Sequence, residues 1–261
     1  MSGELSREEV LALLDRLERG ELRAAEPDGY GWRVNPDVKE GILRAFRLGV
    51  DTDLPAPPFA YRDRDTLPVR GVLPPGVRVV PGGTAIRRGA FVARGVVIMP
   101  PAYVNVGAYV DEGTMIDSHA LVGSCAQVGK RVHLSAAAQV GGVLEPVGAL
   151  PVVVEDDVFV GGGVGLYEGV RVRSRAVLAA GVILTASSVI YDLVNERELR
   201  ATGTETLTVP EGAVVVPGSR PAPGSWAHVR GLSISAAVIV KYRDGRTDAR
   251  TALEGALHRT G

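Results

Sequence analysis

Aliphatic residues recur at every sixth position through the middle of the chain. They stand at Ile86, Val92, Ile98, Val104, Val110, Ile116, Val122, Val128, Leu134 and Val140, and again at Val154, Val160, Leu166, Val172, Leu178, Leu184 and Ile190. The one interruption is GVLEPVGALP, residues 142–151. Four residues after nearly every aliphatic position comes a small or β-branched residue, from Ala90, Val96 and Ala102 through to Val182 and Ser188. An α-helix repeats near 3.6 residues and a simple strand near 2, so neither accounts for a period of six. A solenoid of triangular coils does: each coil has three six-residue faces, the aliphatic side chain points inward, and the small residue packs near the corner. Gly89, Gly95, Gly107, Gly113 and Gly161 are read as supplying positive φ at those corners. The predicted fold class is mainly β, a left-handed parallel β-helix of six-residue repeats with an N-terminal helical domain and a small C-terminal cap.

The flanks break this period. Ser6-Arg7-Glu8-Glu9 is a capping box, and Val10, Leu13, Leu14 and Leu17 then form one apolar helix face. Asn35-Pro36 reads as the N-cap and first position of a second helix, with Val38, Ile42, Ala45 and Phe46 as its buried stripe. Residues 51–76 are rich in Pro and Asp and read as a linker. After Ile190 the chain leaves phase: 191–208 predicts a loop or hairpin, 209–218 a last partial coil, and 234–242 a strand that caps the solenoid or pairs with another chain. Residues 247–258 read as a weak helix. The boundaries drawn are 1–76 for the helical domain and linker, 77–218 for the β-helix, and 219–261 for the cap. Flat prism faces of this kind commonly pack against further copies, so a homotrimer is expected.

Composition narrows the function classes. Only 4 Phe and 2 Trp occur among 261 residues, which fits a narrow core lined by Val, Ile, Leu and Ala. The net charge of −1, with acids and bases interspersed, offers no basic field for nucleic acid and no polybasic run for a membrane. One cysteine, Cys125, excludes an intrachain disulfide framework and a cysteine-rich zinc site, and it is read as structural. The start MSGELSREE lacks the features of a signal peptide, so a cytoplasmic location is expected.

On the coils, the residues able to do chemistry are Asp111, Glu112, Asp117, Glu168, His119 and His133, with Glu145 in the interruption. Each charged residue taken singly is better read as part of a solvated face. Stacked coils nevertheless bring residues distant in sequence close together. Asp117 follows the inward Ile116 and therefore points out of the core. Acyl transfer from a thioester to an amine needs a general base, donors for the oxyanion, and near-attack positioning, and it needs no covalent enzyme intermediate.

Three blocks carry a closer likeness: RVVPGGTAIRRGAFVARGVVIMPP (78–101), AYVNVGAYVDEGTMIDSHALVGSCAQVGKRVHLS (102–135) and GGVLEPVGALPVVVEDDVFVGG (141–162). Together with WRVNPDVKEGILRAFRLG, VPEGAVVVPGSRP and AAVIVKYRD, they make the chain closely resemble the tetrahydrodipicolinate N-succinyltransferase family over essentially its whole length. The resemblance implies transfer of succinyl from succinyl-CoA, as co-substrate, to a ring-opened cyclic imine dicarboxylate in lysine and diaminopimelate synthesis. It further implies a homotrimer with sites between neighbouring solenoids, no permanently bound cofactor and no metal. On this reading Arg78 grips the acceptor dicarboxylate, Asp117 is the base or amine-orienting group, His119 and Ser124 line the acceptor site, and CoA lies near Ala180 with Lys241 or Arg243 toward its phosphates.

Two departures from the family pattern stand out. Many members carry Arg and Glu where this chain has Gly163 and Gly165, which puts a two-carboxylate mechanism in doubt and leaves Glu168 as the nearby candidate. His119 replaces a Trp common in the family. A related six-residue-repeat acyltransferase with another acceptor or an acetyl-CoA donor therefore stays open, as does a non-catalytic trimeric paralogue. A solenoid carbonic anhydrase needs three His ligands, and only His119 and His133 lie on the coils.

Overall fold

A computed structural model describes residues 5–54, 60–203 and 205–243. The 247–258 helix expected from sequence lies outside the described residues. The N-terminal part holds α1 (Arg7–Glu18) and α2 (Pro36–Leu48). The capping box forms as read: Ser6 Oγ accepts from Glu9 N at 3.2 Å, and Ser6 N donates to the Glu9 carboxylate at 2.8 Å. Asn35 does not cap α2 with its side chain. Its Nδ2 donates instead to the Arg23 carbonyl at 2.8 Å, tying the helix start to the preceding segment. Two hairpins escaped the sequence reading: Ala25–Asp28 with Gly31–Val34, and Asp51–Asp53 with Arg62–Arg64 inside the expected linker. Both are too short for alternation to register, and one strand of the first carries a proline.

The middle of the chain is the left-handed parallel β-helix. Its strands are two residues long and stack into three parallel sheets. The first sheet contains Arg78–Val79, Val97–Ile98, Met115–Ile116, His133–Leu134, Phe159–Val160 and Val177–Leu178, followed by the start of Ala213–Pro221. Gly165–Leu166 and Ile183–Leu184 belong to the second sheet, and Arg171–Val172 and Thr208–Val209 to the third. Coils are joined by backbone hydrogen bonds such as Asp117 N to Leu134 O (2.8 Å) and Gly123 N to Val140 O (2.7 Å). All seventeen periodic aliphatic residues are buried. The smaller series is buried too, except Ser188, which is half-buried because the chain is already leaving the coil.

Corners turn three residues after each inward side chain. Gly89, Gly95, Gly107 and Gly113 do so at positive φ, as expected, but Gly161 does not; its corner is turned by Gly163 at φ 65°. Gly161 is required for a different reason, since a Cβ there would lie 2.6 Å from Ala180 N on the next coil. His119, Cys125, Arg131, Ala137, Asp157 and Arg175 also turn corners at positive φ, conformations costly for L-residues that the stacked coils over-determine. Gly89 and Gly107 serve a second purpose. A Cβ at Gly89 would meet Leu14 at 2.9 Å and one at Gly107 would meet Ile42 at 2.8 Å, so the two glycines form the notch in which α1 and α2 seat. Val106 and Cys125 of the solenoid complete that helical core with Val10, Leu14, Leu17 and Ala45.

Beyond Leu184 the chain forms a hairpin, Ile190–Asp192 with Arg197–Leu199, then returns for a last partial coil. The strand Ser233–Tyr242 pairs inside its own chain, antiparallel to Ala213–Pro221 and parallel to Ile190–Asp192. Asp192 pins this junction. Its side chain is fully buried and accepts from Tyr242 Oη (2.7 Å), Asn195 Nδ2 (2.8 Å), Arg197 Nε (3.1 Å) and the Val194 and Asn195 backbone (3.2 Å each). Burial alone would raise its pKa; these donors outweigh burial and bring it to about 2. A carboxylate whose folded pKa is depressed contributes stability that is fully present above its unfolded value and is lost as pH falls through the folded one. Asp192→Asn is therefore expected to lower unfolding free energy by about 1.5–3 kcal/mol at pH 7. In urea titrations its deficit relative to wild type should shrink as pH drops from about 4 toward 2.

Candidate active site

The three corners of the prism sort the candidate residues. At the corner joining the first sheet to the second sit Asp117, His119 and Ala180. Asp117 leaves the strand Met115–Ile116 half-buried, and its carboxylate accepts one hydrogen bond among the described residues, from Ser118 N at 2.7 Å. His119 is exposed and turns the corner at φ 63°; its N–H donates to Pro101 O at 2.5 Å, and its carbonyl accepts from Gln139 Nε2 at 3.3 Å. Higher on the same corner, the backbone N–H groups of Ala136, Gly162 and Ala180 have no hydrogen-bond partner among the described residues. They form a row of donors spaced by the coil repeat, roughly 4.8 Å. Arg78, exposed, opens the first-sheet ladder two coils below Asp117.

Ser124 and Glu168 lie on another corner, between the second and third sheets. Ser124 is half-buried and its carbonyl accepts from Val143 N at 3.1 Å. Glu168 is exposed at φ 55°, and its Oε2 accepts from Ala186 N at 3.1 Å. A full face separates these two from Asp117, on the order of 15–20 Å at the rise of a strand. One chain therefore does not bring the two candidate carboxylates together.

Lys241 stands opposite Val214 on the extension of the first sheet. Val214 itself is in register with Val177, at the strand end away from Ala180, so Lys241 and Ala180 are not neighbours. Arg243 is committed elsewhere. Its Nη1 donates to the carbonyls of Arg175 (3.0 Å) and Asp157 (3.4 Å) at the third corner, which corrects the expectation that it faces the first.

Gly165 leaves room for an aromatic ring. A Cβ at Gly165 would lie 2.5 Å from Tyr167 Cε2, and one at Gly141, on the coil below, 2.8 Å from Tyr167 Cδ1. The Tyr167 ring thus lies across the outer surface of the second sheet, in the space a side chain at position 165 would use. Sequence reading missed Tyr167; the signal was a pair of glycines at outward positions on successive coils. It also missed Lys39, fully buried on α2, whose Nζ donates to Ala149 O at 2.7 Å and holds the 142–151 segment against the helices. Burial lowers the Lys39 pKa. Burial likewise pushes the Cys125 thiol up to about 12, so it stays protonated and packs as an apolar group, in keeping with a structural role.

Among the described residues no helix is long and apolar enough to cross a membrane, and no His/Cys/Asp/Glu cluster has the grouping of a metal site.

Comparison with known proteins agrees with this architecture. Residues 2–48 match the family model described as tetrahydrodipicolinate N-succinyltransferase N-terminal, and residues 151–186 match the hexapeptide repeat of succinyl-transferase. Proteins named 2,3,4,5-tetrahydropyridine-2,6-dicarboxylate N-succinyltransferase align along nearly the whole chain. The one from Aromatoleum aromaticum is 45% identical and that from Idiomarina loihiensis 43%, each alignment covering 96% of this chain and 89% of the relative. The Bradyrhizobium diazoefficiens protein of the same name is 45% identical with the same coverage. A solved structure from Campylobacter jejuni, provisionally described as a 2,3,4,5-tetrahydropyridine-2-carboxylate N-succinyltransferase, superposes with a TM-score of 0.54. It covers 90% of this chain and 63% of that one at 17% identity, and so bears on the fold alone.

The packing of Tyr167 gives a direct test. Gly165→Ala is expected to destabilise the protein by about 1–3 kcal/mol through overpacking against the ring. Tyr167→Ala should remove most of that penalty, so a double-mutant cycle by urea denaturation should show strong coupling between the two positions.

Proposed function

The chain belongs to the tetrahydrodipicolinate N-succinyltransferase family, and from that premise we infer that it moves the succinyl group of succinyl-CoA onto the amine of ring-opened tetrahydrodipicolinate. The amine nitrogen attacks the thioester carbonyl, the C–N bond forms as the C–S bond breaks, the amine gives up a proton, and CoA leaves as the thiol. Asp117 is the residue we assign to hold or take that proton. The observation that carries the assignment is its half-buried carboxylate, engaged by a single local N–H and set on the same corner as the open donors of Ala136, Gly162 and Ala180. Those donors suit the amides of an extended pantetheine arm, and Arg78 supplies a guanidinium for an acceptor carboxylate. His119, exposed beside Asp117, borders the acceptor.

Ser124 and Glu168 enter this reading only from a neighbouring copy, because they occupy a different corner from Asp117. A homotrimer with sites between adjacent prisms fits that separation, and the flat sheet faces offer the surfaces for it. Glu168 then serves as the second carboxylate, in place of any side chain at Gly165. Lys241, remote from Ala180 in its own chain, would likewise meet CoA phosphates only across a subunit boundary. The reaction needs no resident cofactor beyond the CoA thioester, and we place the enzyme in the cytoplasm with the soluble metabolites it uses.

The test is release of free thiol from succinyl-CoA and from acetyl-CoA in the presence of tetrahydrodipicolinate. Succinyl-CoA should turn over, and Asp117→Asn should reduce kcat by about 10²–10⁴-fold with the trimer intact. Mixing Asp117→Asn with Glu168→Gln subunits should recover part of the activity if the two carboxylates belong to different chains. Silence with both donors would overturn the acceptor assignment.

A further inference from the structure

A cavity of about 400 Å³ lies at the third corner, between the hairpin 25–34 and four successive coils. It is away from Asp117, which belongs to the first corner. Its walls are fixed by a partly buried network. Glu155 accepts from Arg171 Nε at 2.7 Å and from Trp32 Nε1 at 3.3 Å, and Arg171 Nη1 donates to the Tyr30 carbonyl at 2.9 Å. These bonds clamp the hairpin tip to the solenoid and consume the charges of Glu155 and Arg171 on each other.

The remaining cations of the lining are under-partnered. The Lys130 ammonium has no ion pair among the described residues. Among the described residues, Arg173 Nε is buried without a hydrogen-bond partner, and the carboxylate paired with this side chain, Glu211, is 3.8 Å from the Nη2 end. Arg23 lies with its guanidinium 3.7 Å from the Tyr109 ring centre and 5.4 Å from that of Trp32, and bonds a neutral Gln127 at 2.9 Å. Burial lowers its pKa, outweighing the opposing pull of Tyr109, Asp111, Glu26 and Asp156. Against these three stand Asp111 and Asp156, each already accepting from a backbone N–H, of Glu112 and Lys130 respectively. Outside the Glu155–Arg171 pair, three cations of the lining thus face two carboxylates around a preformed hollow, with Glu211 just outside it on the far end of Arg173.

We propose that this cavity is a binding site, separate from the acylation site, for a small doubly charged oxyanion group such as a phosphoryl group or a dicarboxylate. Arg173 Nε and the Lys130 ammonium would supply the charge-assisted hydrogen bonds, with Arg23 providing a fixed positive field held by its aromatic neighbours.

Trp32 lines the cavity, and the chain has only one other tryptophan, Trp226, so Trp226→Phe makes Trp32 the sole reporter. Inorganic phosphate and malonate, each titrated at constant ionic strength against chloride, should give a saturable fluorescence change with at least one of the two. Which one responds identifies the source of the oxyanion. Arg173→Gln and, independently, the surface variant Lys130→Ala should weaken that binding by about tenfold or more, while thiol release at saturating substrates stays at the parent level. The proposal is overturned by a flat titration with both anions, or by curves that the two variants leave unchanged. It is equally overturned by variants that stay folded but lose thiol release along with binding, because the cavity would then belong to the acylation site.

Discussion

The whole molecule depends on one repeated bargain between neighbouring coils. Each two-residue strand contributes too few hydrogen bonds to stand alone, yet its N–H and carbonyl groups are completed by the coils on either side. The same stacking aligns one aliphatic side chain per face into a continuous ladder that excludes water. A six-residue face leaves no slack: an extra residue inside it would carry every later side chain out of phase. The chain accordingly confines its insertions to a corner, at 142–151 and again after Leu184, where they project without disturbing the ladder.

That constraint explains why so much of the fold was readable from the chain. A period repeated on every face is reinforced each time it recurs, and all seventeen aliphatic positions lie in the interior. Features that occur once carried no such reinforcement. The hairpins at 25–34 and 51–64 are three- or four-residue strands among turn formers, and nothing in them alternates long enough to be noticed. Asn35 looked like a cap because its type and the following proline fit, but its side chain found a closer carbonyl at Arg23. Gly161 was misread for a related reason. Glycine is demanded both by positive φ and by close approach of another backbone, and composition does not tell these apart.

The candidate site was legible only in part, and the division is physical. Asp117 could be placed outside the core from the phase of Ile116 alone, but its role rested on likeness to a family, because an outward carboxylate is ordinary. Which residues share a corner depends on summing six-residue steps through an interruption of irregular length, and this is what separates Glu168 from Asp117. Tyr167 and the third-corner cavity depend on contacts between coils and with a hairpin more than a hundred residues away in sequence, as Trp32 with Glu155 shows. No local pattern encodes such contacts.

The antiparallel strand 233–242 also decides where the structure stops growing. A parallel solenoid with a bare last coil is a template on which the first coil of another molecule can dock, and repetition of that event would give a fibre. Here the first sheet ends in a ribbon that reverses direction at Ser233–Tyr242 and reverses back at its outermost strand, Arg197–Leu199, which is short and carries Arg197 and Glu198 with Arg200 adjoining. An incoming rung on this sheet would meet a short strand with a charged rim in place of a bare two-residue coil strand. The ribbon therefore covers the end of the first sheet and disfavours end-to-end stacking through it, while leaving the sides of the prism open for copies to meet.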